Sequence, residues 1–301
     1  MINELFSTFT DEPFIRFNFY KNGKPLSDAP FCGMSIRSAG SMRFRWNEKN
    51  LNRDEFLKKI TEITATSMSS EEKSPVPSMN AVSECKSFAV TPVPVELIHS
   101  KIVYDVKNVN QTDGLQGDGI ITANKCLMPV VTVADCMPIF LFEPESGVFG
   151  IVHSGWKGTG IIEEAIKLAQ TENFCVILGP HIRNCCYIVN QERADYFADN
   201  FGSDCITALE QGGKCYCGGR GLAIDWNNGG GKLYRLSLEK ANLNVLARCG
   251  VKEENIVVYK DCTCCDERLG SNRRETALAD ANGIKKQPAP FTVQAAFIRY
   301  M

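Results

Sequence analysis

Apolar positions along the chain fall into two rhythms. Alternating or continuous runs of β-branched and aromatic residues predict strands over residues 14–20, 87–93, 95–106, 119–122, 129–134, 139–142, 148–153, 175–178, 256–260 and 291–299. Helical spacing predicts helices over 52–60, 161–170, 191–201 and 233–249. The second of these aligns Ile161, Ile162, Ala165, Ile166 and Ala169, and the last is closed by Gly250 as a C-cap. Asn22-Gly23 turns the chain after the first strand. Residues 66–83 are rich in Ser, Glu and Pro and poor in large apolar side chains, which predicts a mobile surface loop. It is not read as a domain linker, because too little chain precedes it for an independent core. Residues 211–231 hold eight of the 24 glycines and are expected to be irregular. Strands and helices mix without a repeat and without regular βαβ alternation. The expected fold class is therefore α+β, one domain over residues 1–301 with large mixed sheets flanked by helices.

Composition narrows the function classes. Thirty-three Lys and Arg balance 35 Asp and Glu for a formal charge of −2, so no basic excess marks a nucleic-acid binder. No apolar run reaches the length of a membrane span. Met1 to Phe6 lacks the basic and apolar regions of a signal peptide, and the expected location is cytoplasmic. Small-molecule partners and a monomeric state are the corresponding expectations.

Only three histidines are present, His99, His153 and His181, too few for a multicopper oxidase cluster but enough for a single metal. The 14 cysteines include the adjacent pairs Cys185-Cys186 and Cys264-Cys265. In a chain of this length without an export signal they read as reduced thiols. Cys215-Tyr-Cys217 and Cys262-Thr-Cys264-Cys265 have only the outline of a zinc knuckle, since no fixed ligand spacing matches.

Three places carry candidate reactive residues. His153 ends an apolar strand and runs into Ser-Gly-Trp-Lys-Gly-Thr ahead of a helix. Backbone amides around Gly155 and Gly158, the helix dipole and Lys157 would favour a phosphate there, while an ordinary Gly-rich turn is the plainer alternative. Cys136 follows Asp135 at the end of another apolar strand. It is either a small buried hydrophobe or a thiolate whose pKa a His or a metal lowers. His99 falls inside the 95–106 strand run, the usual setting of a satisfied core histidine.

Four segments in order, VTVADCMPIFLFEP (131–144), IVHSGWKGTG (151–160), LGPHIRNCCYIV (178–189) and CTCCDERLGSNRRE (262–275), resemble the multicopper polyphenol oxidase or laccase-domain family. Its members are described as purine nucleoside phosphorylases or as peptidoglycan-editing factors. The resemblance implies a layered fold like that of the cytotoxic necrotizing factor cysteine hydrolases. It also implies a zinc site made by His99, Cys136 and His153, two imidazoles and a thiolate with one position open, as suits a catalytic zinc. Copper is disfavoured. The chain departs from the family pattern at Leu97, where Gln is usual, at His181, Arg183 and Ile188, and at Leu269-Gly-Ser-Asn272 before Arg273-Arg274.

The resemblance implies phosphorolysis of adenosine to adenine and ribose 1-phosphate, deamination of adenosine to inosine, or both, with inosine and methylthioadenosine also cleaved. For deamination Asp135 is placed to shuttle protons, although strand neighbours face opposite ways and Asp135 could equally anchor the turn. For phosphorolysis Lys157 with the amides near Gly155 and Gly158, Arg274, and Arg53 are the expected phosphate ligands. A second class of reading makes Cys136 a nucleophile and His153 its base, in an amidase that edits a peptidoglycan precursor. A third is a non-catalytic metal- or thiol-rich binding protein.

Overall fold

The computed structural model describes residues 1–63, 90–171, 173–210, 215–217, 222–224, 231–281 and 291–301. The expected 66–83 loop lies outside the described residues.

Two large mixed sheets stack face to face. The seven-stranded sheet runs Asn3–Leu5, Ile256–Tyr259, Cys175–Leu178, Met137–Phe142, Phe149–Ser154, Gly119–Thr122 and Val103–Asp105. The five-stranded sheet runs Phe14–Phe17, Phe31–Ser35, Gln294–Arg299, Leu127–Val133 and Thr91–Pro94. Strand periodicity sorts the core between them. In Met137–Phe142, Phe140 and Phe142 point into the space between the sheets, where they meet Phe17, Phe19, Val133 and Ile298. Ile139 and Leu141 point the other way, against the helices Ile161–Ala169, Gln191–Phe201 and Leu238–Arg248. The outer face of the five-stranded sheet is closed by the helix Leu51–Glu62, whose Phe56, Leu57 and Ile60 pack on Phe14, Val130 and Phe297. Strands buried on both faces read as continuous apolar runs, which is why they were visible in the sequence. Each such buried Phe or Ile contributes roughly 1.5–3 kcal/mol. Among the described residues no helix is long and apolar enough to cross a membrane.

Several elements differ from expectation, among them the paired strands Cys215–Cys217 and Leu222–Ile224 inside the 211–231 stretch expected to be irregular. The 233–249 helix is a strand, Leu233–Leu236, followed by the helix Leu238–Arg248. Ser237 divides them by accepting the Lys240 N–H as N-cap, while the strand pairs with Ile188–Asn190 and Ile206–Ala208 in a three-stranded sheet. The 95–106 strand does not exist as such. Thr91–Pro94 and Val103–Asp105 belong to different sheets, and between them His99 adopts a left-handed φ of 59° that no strand accommodates. A helix at Asn272–Ala281 has no counterpart in the sequence reading.

Candidate metal centre and adjoining cavity

The chain passes from one large sheet to the other between Val133 and Met137, and this corner holds Ala134, Asp135 and Cys136. Met137–Phe142 pairs antiparallel with Phe149–Ser154, matching Pro138 with His153 and Met137 with Ser154. That register delivers Cys136 to the end of the strand carrying His153. The neighbouring strand Gly119–Thr122 pairs Gly119 with Val152, so Asp118 stands beside His153.

Asp118 organises the rest. Its fully buried carboxylate lies 2.8 Å from His153 Nδ1 and accepts the backbone N–H of His99 at 3.0 Å and of Ser100 at 2.6 Å. Holding Nδ1 leaves His153 Nε2 for the other side of the ring. The rings of His99 and His153 stand edge to face with centroids 5.0 Å apart. One ligand atom from each of His99, Cys136 and His153 falls within 4.8 Å of the others. The structure thus brings together the three residues that the family resemblance grouped.

Backbone strain concentrates here. His99 and Asp135 both have positive φ, 59° and 79°. Gly155 is required for a different reason, since a Cβ there would stand 2.6 Å from Cys136 Sγ. The charges are coupled as well. Burial alone would hold the Cys136 thiol neutral, yet the His153 charge and hydrogen bonds from His153 and His99 lower its pKa well below the ordinary thiol value. Burial likewise opposes a charge on His153, but the Cys136 thiolate and Asp118 carboxylate raise the imidazole. A half-buried thiolate between two imidazoles, with a carboxylate behind one of them, is a donor set that suits a borderline-soft divalent ion.

A cavity of about 440 Å³ opens on His99, Asp135, Cys136 and Gly155. It is also lined by Trp156, Tyr187, Arg193 and Arg273. The Arg193 guanidinium lies 3.7 Å from the centroid of the Trp156 ring, and its buried Nε has no hydrogen-bond partner. Arg273 lies 5.7 Å from the Tyr187 ring centroid. Asp135 is held from across the corner, its two oxygens accepting Thr263 Oγ1 at 2.7 Å and the Arg273 N–H at 2.6 Å. Burial pushes its carboxyl up to about 6 in spite of these donors.

The other expected phosphate ligands are placed elsewhere. Arg274 is buried, with its guanidinium donating to the carbonyls of Thr263 and Asp266 and to Glu275. Its neighbour Arg273 is the one that lines the cavity. Arg53, on the Leu51–Glu62 helix, bonds Asp54 and the Arg43 carbonyl and stacks on Phe44. Lys157 is exposed, its ammonium 5.6 Å from the Trp156 ring centroid. A Cβ on Gly158 would stand 2.8 Å from the Ser100 carbonyl oxygen, so Gly158 serves the close approach of two loops. Asp118, Arg193 and Arg273 are the site residues that sequence reasoning missed. His181 sits apart, buried, with Nδ1 against the Gly179 carbonyl at 2.9 Å.

Residues 78–279 match the family described as multi-copper polyphenol oxidoreductase laccase. The chain belongs to this family. A relative in Geobacillus stearothermophilus, purine nucleoside phosphorylase YlmD, is 27% identical over 197 residues, covering 60% of this chain and 66% of that protein. Adenosine deaminase RL5, from an unknown prokaryotic organism, is 27% identical over 183 residues, covering 55% of this chain and 63% of that protein. The matched stretch therefore spans just under two thirds of each relative. The crystal structure of YlmD from Geobacillus stearothermophilus superposes with a TM-score of 0.68 over 98% of this chain and 99% of that one, at 20% identity. The family fold is thus present over nearly the whole length. The oxidase in the family's description sits poorly with three histidines in the entire chain.

Proposed function

We propose that this protein is a zinc-dependent purine nucleoside phosphorylase, acting on adenosine and on inosine and methylthioadenosine. The observation that carries the reading is the buried Nε of Arg193, a donor without an acceptor at the wall of a cavity also lined by His99 and Cys136 of the candidate metal group. An orphaned buried cationic donor is costly, and an anion accepted there removes the cost. Inorganic phosphate between Arg193 and Arg273 fits that demand. Trp156 and Tyr187 offer flat apolar surface to a purine.

In the reaction a phosphate oxygen bonds to the sugar C1′ as the C1′–N9 bond breaks, and the electron pair leaves with the base. The two arginines would hold and orient the phosphate. Asp135, with a carboxyl that burial raises to about 6, is the acid available to protonate the departing purine. Zinc at the inner end of the cavity would supply a Lewis acid. The same cavity and the same Asp135 support deamination of adenosine as a companion reaction, in line with the name of the RL5 relative.

One observation favours a second reading. Cys136, His153 and Asp118 form a nucleophile, base and orienting carboxylate in the order of a hydrolytic triad. An amidase acting on a peptidoglycan precursor would use that array. His99 is superfluous to such a triad, whereas its left-handed backbone, pinned by Asp118, makes sense for a third metal ligand. The metal reading is therefore preferred.

The test is chromatography of adenosine incubated with the purified protein, with and without phosphate, before and after chelation. Phosphate-dependent adenine that disappears on chelation and returns with zinc is expected. Intact adenosine under all conditions overturns the proposal. If hydrolysis of an amide substrate also survives chelation and is stopped by thiol alkylation, the triad reading replaces it.

A further inference from the structure

A second group of potential ligands lies on the far side of Asp135. Cys185, Cys186, Cys262 and Cys265 come from two loops almost eighty residues apart, yet all four sulfurs fall within 4.8 Å of one another. Cys186 Sγ is 3.3 Å and Cys185 Sγ 3.7 Å from Cys265 Sγ. Four thiolates around one zinc at Zn–S of about 2.3 Å would have S···S edges of about 3.8 Å. The two named contacts lie near that edge length, and none of the six separations exceeds it by more than about 1 Å. A cage this tight suits one ion and leaves no space for an iron–sulfur cluster.

The backbone is shaped in the same sense. Each loop closes a tight turn around its cysteines. The N–H groups of Cys186 and Tyr187 bond the Arg183 carbonyl at 2.9 and 2.8 Å, and those of Cys265 and Asp266 bond the Cys262 carbonyl at 3.0 and 2.9 Å. The Arg183 N–H points at Cys262 Sγ from 3.4 Å. Two more arginines grip the loops from outside. Arg235 donates to the Cys185 carbonyl at 2.8 Å, and Arg274 to the carbonyls of Thr263 and Asp266. Four thiolates and one divalent ion carry a net charge of −2, which the N–H donor directed at Cys262 Sγ helps to offset.

We infer that Cys185, Cys186, Cys262 and Cys265 form a structural zinc site, closed by four thiolates and distinct from the His99–Cys136–His153 group. The inference does not depend on which reaction the protein catalyses. The knuckle outline at Cys262-Thr-Cys264-Cys265 takes its partners from Cys185-Cys186, and the side chains of Cys215 and Cys217 lie outside the described residues. The position gives the ion a purpose. Beside the first loop, Ile182 donates its N–H to the Asp135 carbonyl at 2.9 Å and Tyr187 lines the cavity, while in the second Thr263 holds the Asp135 carboxylate. Zinc would pin the two loops together directly behind the corner that carries Asp135 and Cys136.

Metal analysis of the full-length chain, purified under reducing conditions from zinc-supplemented cells, tests this from both sides. Cys136→Ala/His153→Ala should retain one zinc per chain. After exchange to cobalt it should show the intense visible bands and thiolate-to-cobalt charge transfer of a tetrahedral all-sulfur site. Cys262→Ser/Cys265→Ser, with the other group intact, should lose one zinc relative to wild type and lose the charge-transfer intensity of an all-sulfur site. The inference is overturned if Cys136→Ala/His153→Ala binds no metal while its thiols titrate as reduced. It is equally overturned if the serine variant keeps the wild-type zinc content, or if the four cysteines are recovered as disulfides under those conditions. A paired-disulfide role would then replace it.

Discussion

His153 Nδ1 and Asp118 Oδ1 are 2.8 Å apart, and the same carboxylate takes the backbone N–H groups of His99 and Ser100 and the Ser100 hydroxyl. One buried aspartate thereby fixes the ring of one candidate ligand and the backbone of another. Asn at this position has the same shape but must turn an NH2 group towards His153 and His99 or towards the Ser100 N–H. Asp118→Asn is expected to lower zinc affinity roughly 10–100-fold, measured by competition against a chromophoric chelator. Unchanged affinity would remove Asp118 from the site's support.

Gly155 lies against the Cys136 sulfur. Its φ is not in the left-handed region, so Ala is conformationally allowed there, but its methyl would fall 2.6 Å from Cys136 Sγ and 3.5 Å from His153 Cε1. Gly155→Ala should therefore fold while displacing the sulfur from its partners. Turnover is expected to fall on the order of a hundredfold, the scale of an ångström misplacement at a reacting centre. The check pairs steady-state kinetics with circular dichroism, and a folded variant of wild-type turnover would contradict the assignment.

On the proposed reading, Arg193 separates phosphate binding from chemistry. Removing one charge-assisted hydrogen bond to an anion costs about 1.5–3 kcal/mol, or roughly 10–100-fold in affinity. Arg193→Ala should raise KM for phosphate by that factor, with a smaller change for adenosine. Arg193→Lys should recover only part of the loss, because the ammonium lacks the planar fork that both covers Trp156 and presents Nε. An equal rise in both KM values would instead make Arg193 a wall of the nucleoside pocket.

How much of this was legible in the sequence depended on the range of the interactions. Central strands announce themselves because both faces are buried, and they appeared close to their observed limits. The 95–106 stretch misled because its apolar residues belong to two different sheets, a fact fixed only by long-range pairing. The three candidate ligands were found through family motifs, since nothing in their spacing joins them. Asp118 was invisible, because no motif marks it and only the strand register sets it beside His153. Arg273 and Arg274 illustrate the limit most sharply. On a helix they differ by about 100° of rotation, and one lines the cavity while the other is sealed among carbonyls. The Asn272–Ala281 helix has too little apolar periodicity to predict, so no sequence argument could choose between them.

Glu239 ties the loop of Arg183 to the rest of the fold and gives the stability a pH signature. It stands in the first turn of the Leu238–Arg248 helix, 14% exposed, between Arg183 Nη2 at 3.2 Å and Lys260 Nζ at 2.7 Å. Burial alone would raise its pKa, but the Lys260 hydrogen bond and the charges of Lys260 and Arg183 prevail and lower it. A carboxyl depressed in the folded state stabilises fully above its unfolded pKa of about 4.3, and that contribution is lost as the pH falls through the folded value. Glu239→Gln should therefore cost about 1–3 kcal/mol at neutral pH. The gap to wild type should shrink steadily below the unfolded pKa. Urea unfolding of both proteins at neutral pH and at stepwise lower pH measures this directly. A gap that persists undiminished in acid would mean that Glu239 acts through its shape and packing, and that its charge does not hold Arg183 and Lys260 together.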